Sequence, residues 1–170
     1  MGAGLTRGAQ RHVMATLKHF ALNSMENARF GVDVKIDERA LHEVYLPHFK
    51  RIVDEGVACV MTAYNSVNGE WCSQNEVLLA DILRREWGFT GFVISDWIFG
   101  VHDGVKSLVA GLDVEMPYRM IRNAPIVAAL SEGLVTEENI TSAVTRTLTT
   151  MLKFNVGKLP VSDRSVVLCS

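Results

Sequence analysis

The stretch Leu83–Trp97, LRREWGFTGFVISDW, decides the fold. Ahead of and within it, Val77, Leu78, Ile82, Leu83 and Trp87 recur at helical spacing, and Gly88 is a natural left-handed stop. Gly91–Asp96 (GFVISD) then forms an apolar run of strand length that ends in a carboxylate followed by an indole. Ser73 and Glu76 have capping-box spacing before the helical pattern. A helix that returns directly into a hydrophobic strand is the joint of a repeated βα unit, so a mainly parallel sheet is expected.

Moving outward, three further runs have strand length: Val13–Phe20 (VMATLKHF), Val57–Tyr64 (VACVMTAY) and Leu112–Met116 (LDVEM). Between the first two, Asp37 can cap a helix whose apolar positions Leu41, Val44, Tyr45, Ile52 and Val53 share a face; Pro47 kinks it and Gly56 stops it. After the last run, Ile126, Val127 and Leu130 begin a short helix ended near Gly133. Thr136, with Glu137 and Glu138, starts another through Ile140, Val144, Leu148, Met151 and Leu152. Four βα units, set against the eight units and about 250 residues of a closed barrel, predict an α/β fold. The expected architecture is a partial (β/α)8 TIM barrel over residues 1–156, with Gly157–Ser170 as a linker toward a second domain. A doubly wound sheet shares this element order but needs a glycine-rich turn after its first strand, and Gly2, Gly4 and Gly8 have the wrong spacing and follow no strand.

Composition narrows the function classes. With 48% hydrophobic and 21% charged residues, the chain has the make-up of a globular domain with a sizeable core. A net charge of -2, with the 17 Lys and Arg scattered, leaves no basic stripe for nucleic acid. No run approaches the ~20 apolar residues of a membrane span, so no membrane partner is expected. Cys59, Cys72 and Cys169 are odd in number without C-x-x-C spacing, which implies buried free thiols. The histidines show no metal-ligand spacing, and neither metal nor cofactor is called for.

In a barrel the chemistry sits where strands end, so the residues closing each run are the candidates. Lys18-His19, Met61 to Tyr64-Asn65, Ser95-Asp96-Trp97, and Asp113 with Glu115 occupy those ends. A carboxylate followed by an indole suits glycosyl transfer: the carboxylate attacks an anomeric carbon and the aromatic face supports the sugar's C–H surface. Lys18, His19 and Tyr64 add donors for hydroxyl groups. Arg29, in ENARF, is either a sugar ligand or a loop anchor. Asp113 and Glu115 are expected to hold neighbouring loops. A different barrel chemistry with Lys18 as a Schiff-base amine is the rival, and a non-catalytic half-barrel pairing with another copy through open sheet edges is a third reading.

The succession KHF, ER-L-EVYLPHF, VMTAYNSVNG, LRREWGFTGFVISDW and AGLDVEMP, in order from Lys18 to Phe154, resembles glycoside hydrolase family 3, whose best-known members are β-glucosidases. The resemblance implies the C-terminal half of a catalytic barrel, retaining hydrolysis of a β-linked glucoside or oligosaccharide, and Asp96 as nucleophile. It implies Lys18, His19 and Tyr64 around the sugar that is cleaved, Trp97 as the aromatic beside the nucleophile, and Met61 as pocket wall. The family's acid/base and two further sugar ligands have no counterpart in this chain, which predicts little activity for the chain alone.

Overall fold

A computed structural model describes residues 1–156; the expected linker and Cys169 lie outside the described residues. Helix α1 (Gly2–Ala9) leads into strand β1 (Thr16–Phe20). Strand β2 (Asp33–Val34) precedes α2 (Glu38–Ala40), a π-helical turn over Leu41–Tyr45, and α3 (Pro47–Val53). After β3 (Cys59–Thr62) come the hairpin strands β4 (Ser66–Val67) and β5 (Glu70–Trp71), a π-helix over Val77–Glu86, and β6 (Phe92–Ile94). Helices α4 (Gly104–Ala110), α5 (Asn123–Ser131) and α6 (Glu137–Lys153) follow.

The main sheet has the order β1-β3-β6, with every pair parallel. Cys59 pairs with Thr16 and Phe92, and Val60 with Leu17 and Val93, so the strand ends on one side of the sheet coincide. Side chains alternate across it as the strand period requires. Leu17, Val60 and Val93 enter the large core under the helices, beside Phe49, Leu79, Leu83 and Trp87. Cys59, Met61 and Ile94 form a small cluster on the opposite face. Within the large core Phe20 meets Phe49 edge-on at 5.3 Å and Trp87 at 5.9 Å, the geometry in which ring edge faces ring cloud.

Several expectations change in detail. The fourth strand, Leu112–Met116, is reduced to a single parallel bridge between Val114 and Ile94. The cause is local: the N–H groups of Asp113 and Val114 both donate to the Val93 carbonyl, and the Met116 N–H is taken by the Ser95 hydroxyl at 2.9 Å rather than by backbone. The capping box at Ser73 and Glu76 does not form. Ser73 lies in a 3-10 turn over Cys72–Gln74, and Asn75 Oδ1 accepts from the Leu78 N–H at 3.1 Å instead. At Pro47 the helix breaks rather than kinks, because proline cannot continue the preceding turn and becomes the first residue of α3. Helix α1 was not anticipated in so glycine-rich a segment; it lies against α3, where Gly2 approaches Ile52.

A second sheet, β2-β4-β5, was also unexpected. Its β4–β5 hairpin turns on Asn68 and Gly69, both at positive φ (51° and 96°), the pairing that a two-residue hairpin loop favours. Asn68 also exchanges side-chain hydrogen bonds with the N–H and C=O of Ile36, tying the hairpin to the segment after β2. Other signals hold as read. Asp37 accepts from the Ala40 N–H at 2.9 Å, Gly56, Gly88 and Gly133 take positive φ, and Thr136 forms a capping box with Asn139.

Candidate active site

Parallel register brings the ends of β1, β3 and β6 to one side of the sheet. There the chain gathers His19, Tyr64, Asp96 and Trp97. Asp96 is 8% exposed, and its two oxygens have different surroundings. Oδ1 accepts from the Trp97 N–H at 2.7 Å, while Oδ2 faces His19 Nε2 at 3.4 Å. One oxygen is anchored by a backbone donor and the other has the imidazole beside it.

The loop after Asp96 is held on two sides. Tyr64 donates its hydroxyl to the Trp97 carbonyl at 2.7 Å, and the Ile98 N–H donates to the Met116 carbonyl at 3.1 Å. Burial, and then the neighbouring Asp96 carboxylate, raise the Tyr64 phenol above its ordinary pKa, so it stays a donor. Gly100 completes the wrap. A Cβ there would stand 2.5 Å from the Asp96 carbonyl oxygen and 2.9 Å from its nitrogen.

Around the carboxylate lies an aromatic rim, of which the sequence reading held Tyr64 and Trp97 but missed Phe30 and Phe99. Phe30 packs on Tyr64 at 4.7 Å and edge-on to Phe99 at 5.5 Å. Phe30, Trp97 and Phe99 are all exposed, although large apolar rings are usually buried. Arg29 sits over the Phe30 and Tyr64 rings, 4.8 and 5.0 Å from their centroids, and pairs with Glu26 at 2.9 Å. The guanidinium is thus anchored and adjacent to the site at once. Spacing alone does not reveal this rim, because residues 30, 64 and 99 come together only through the parallel register.

The remaining candidates separate. Lys18 lies exposed next to His19 and has no ion pair or side-chain hydrogen bond among the described residues. Met61 is buried in the small cluster with Cys59 and Ile94. Glu115 is at the same end of the sheet, but its two oxygens accept from the Ile121 and Arg122 N–H groups at 2.7 and 3.1 Å. The Asp113 side chain is fully buried and tied to Arg84 and Arg146 at 2.7 and 2.8 Å. Both therefore hold loops and helices, as expected. No group of three metal-ligating side chains occurs among the described residues.

Comparison with known proteins gives this geometry its context. Residues 1–150 match the family profile described as glycosyl hydrolase family 3 N terminal domain. A beta-glucosidase of Rhizobium radiobacter is 45% identical over 139 residues, which is 80% of this chain and 17% of that protein. An exo-alpha-(1->6)-L-arabinopyranosidase of Bifidobacterium longum is 45% identical over 135 residues, 78% of this chain and 18% of that protein. The structure of beta-glucosidase 3B from Thermotoga neapolitana in complex with glucose superposes with a TM-score of 0.84 at 39% identity, covering 91% of this chain and 23% of that one. The chain thus spans about a fifth of the length of these relatives. Sequence profile, relatives and backbone agree over most of its length, and the chain belongs to glycosyl hydrolase family 3.

Proposed function

We propose that this chain is the C-terminal half of a (β/α)8 catalytic barrel and carries the nucleophile of a retaining, β-glucosidase-type hydrolase. The observation that carries the reading is the state of Asp96 at the end of β6. Its Oδ1 is fixed by the Trp97 N–H and its Oδ2 stands free of any backbone donor, facing His19. A carboxylate held by one oxygen is oriented without being consumed, which is what attack on an anomeric carbon needs.

In the proposed reaction Asp96 Oδ2 bonds to the anomeric carbon as the glycosidic C–O bond breaks, giving a covalent glycosyl-enzyme that water then hydrolyses. The acid/base that protonates the leaving oxygen and later activates the water comes from outside the described residues. Glu115 does not qualify, since backbone N–H groups occupy both of its oxygens. Tyr64 steadies the nucleophile's loop, Lys18, His19 and Arg29 donate to sugar hydroxyls, Met61 forms the wall and Trp97 supports the ring. The Schiff-base alternative is less well supported, because Lys18 is exposed and lacks the apolar enclosure that activates such an amine.

The test uses an aryl β-glucoside with a very good leaving group, which barely needs a general acid. Incubated with the 170-residue chain, it should label Asp96 stoichiometrically without multiple turnover, as read by peptide mass spectrometry. Labelling at another carboxylate, or robust turnover of an unactivated disaccharide, would overturn the assignment.

A further inference from the structure

The chain reverses direction immediately after Asp96. Ile98 stands at φ 61°, and the Phe99 N–H donates across it to the Trp97 carbonyl at 2.6 Å, closing a γ-turn on one residue. With positive φ this is the rare and strained form of that turn. Leu22, Asn68, Ile98 and Asn155 are the non-glycine residues at positive φ among those described, and of these Ile98 alone is β-branched. A branched side chain crowds the backbone most in that region, so it persists there only where its surroundings over-determine it. They do so here. The Ile98 N–H donates to the Met116 carbonyl at 3.1 Å, and the Trp97 carbonyl takes the Tyr64 hydroxyl at 2.7 Å besides the Phe99 N–H.

The turn has two consequences for the site. It carries Gly100 back against the Asp96–Trp97 peptide, so close that a Cβ would stand 2.5 Å from the Asp96 carbonyl oxygen. In a trans peptide the N–H points away from the carbonyl, and the N–H of this one is the donor that fixes Asp96 Oδ1 at 2.7 Å. Rotating the plane would drive the carbonyl into Gly100 and withdraw the N–H from the carboxylate. The turn also sets the Phe99 ring edge-on to Phe30 at 5.5 Å, so one residue governs both the carboxylate and its rim. Glycine or asparagine would meet the same turn with less strain. Stability therefore does not explain isoleucine here, and a local rule broken without a stabilising return points to function.

We infer that Ile98 is a positioning residue, whose strained turn locks the Asp96–Trp97 peptide plane and with it the direction in which the Asp96 carboxylate points. A β-branched side chain supplies the lock because it is stiff and has few ways out of its conformation once the neighbours hold it. The inference rests on the reading of Asp96 as nucleophile for its meaning in catalysis, while the lock itself is a property of the turn.

Variants of the 170-residue chain separate strain from positioning. Ile98→Asn, whose side chain tolerates positive φ, should raise the urea midpoint. Ile98→Gly admits positive and negative φ alike, so solvent exchange of the Trp97 N–H should quicken at least about tenfold. The amides of Val60 and Val93, in the sheet, should keep their rates. With the activated aryl β-glucoside, labelling of Asp96 in Ile98→Gly should slow at least about tenfold without a matching fall in the urea midpoint. Ile98→Val, equally stiff, should restore exchange and labelling to within about twofold of the parent chain. A merely structural Ile98 would lose midpoint and labelling together. A lowered midpoint in Ile98→Asn, unchanged Trp97 exchange in Ile98→Gly, or a valine variant as impaired as the glycine one would overturn the inference. Absence of label in the parent chain would instead sink the nucleophile reading, and exchange and midpoint would still decide whether Ile98 locks the peptide.

Discussion

Two aspartates stand on adjacent segments of one sheet, Asp113 ahead of the Val114 bridge and Asp96 after β6, and their environments are opposite. Asp113, on the helix side, has a fully buried side chain and spends its oxygens on Arg84, Arg146 and the Val93 N–H. Asp96, at the strand end, has one backbone donor and a histidine 3.4 Å away. The first is a charge whose partners are complete, so it fastens the π-helix and α6 to the sheet. The second is oriented but not satisfied, and that leaves it able to form a bond. On the proposed function, stability falls to one of these neighbouring carboxylates and reactivity to the other, according to how many donors each is given.

The sharpest way to break this contrast is to remove each carboxylate in turn. If the proposed function holds, Asp96→Asn in the whole protein should lower turnover of an aryl β-glucoside by at least about 10³-fold, ~4 kcal/mol in barrier, while the melting temperature barely moves. Asp113→Ala should do the reverse. It strands two partly buried guanidinium groups, and breaking such a network costs about 3–5 kcal/mol, readable as a lowered urea midpoint. If Asp113→Ala left stability intact, or Asp96→Asn unfolded the protein, the division of roles would fail.

A smaller effect tests how the proposed nucleophile is aimed. Gly100→Ala forces a methyl group against the Asp96 backbone, where overpacking costs about 1–3 kcal/mol. Labelling of Asp96 by the activated glucoside should slow more than thermal stability falls. Equal losses would mean that the loop is merely structural.

The smallest expected difference separates two neighbouring caps. Asn75→Ala should cost about 1 kcal/mol, because it removes the acceptor for the Leu78 N–H. Ser73→Ala should cost little or even stabilise, since its buried hydroxyl has no partner among the described residues. Paired thermal melts would reveal the opposite order if the capping-box spacing were the true signal.

That pair of residues also shows where sequence reading stops. Serine and asparagine are nearly equal as caps, and only the 3-10 turn over Cys72–Gln74 decides between them. Strand β6 was legible because Gly88 and Asp96 bracket an apolar run. The hairpin had a readable mark in Asn68-Gly69, but strands of two residues are too short to show alternation. The Val114 strand was overread because one hydroxyl, that of Ser95, takes an N–H that the ladder needed. At the site, residues ending strands were legible one by one. Phe30, Phe99 and Gly100 were not, since their importance lies in through-space approach.

The three indoles stand in three different surroundings, which gives the molecule its own optical labels. Trp87 is enclosed by the core against Phe20, so its emission should be blue-shifted and should report unfolding. Trp71 is stacked on His102 at 3.9 Å, and contact with an imidazole will tend to quench it. Trp97 is open to solvent beside Asp96 and should emit toward the red. A sugar settling on Trp97 would alter that red component alone, so occupancy of the site and melting of the core can be followed in one cuvette at separate wavelengths.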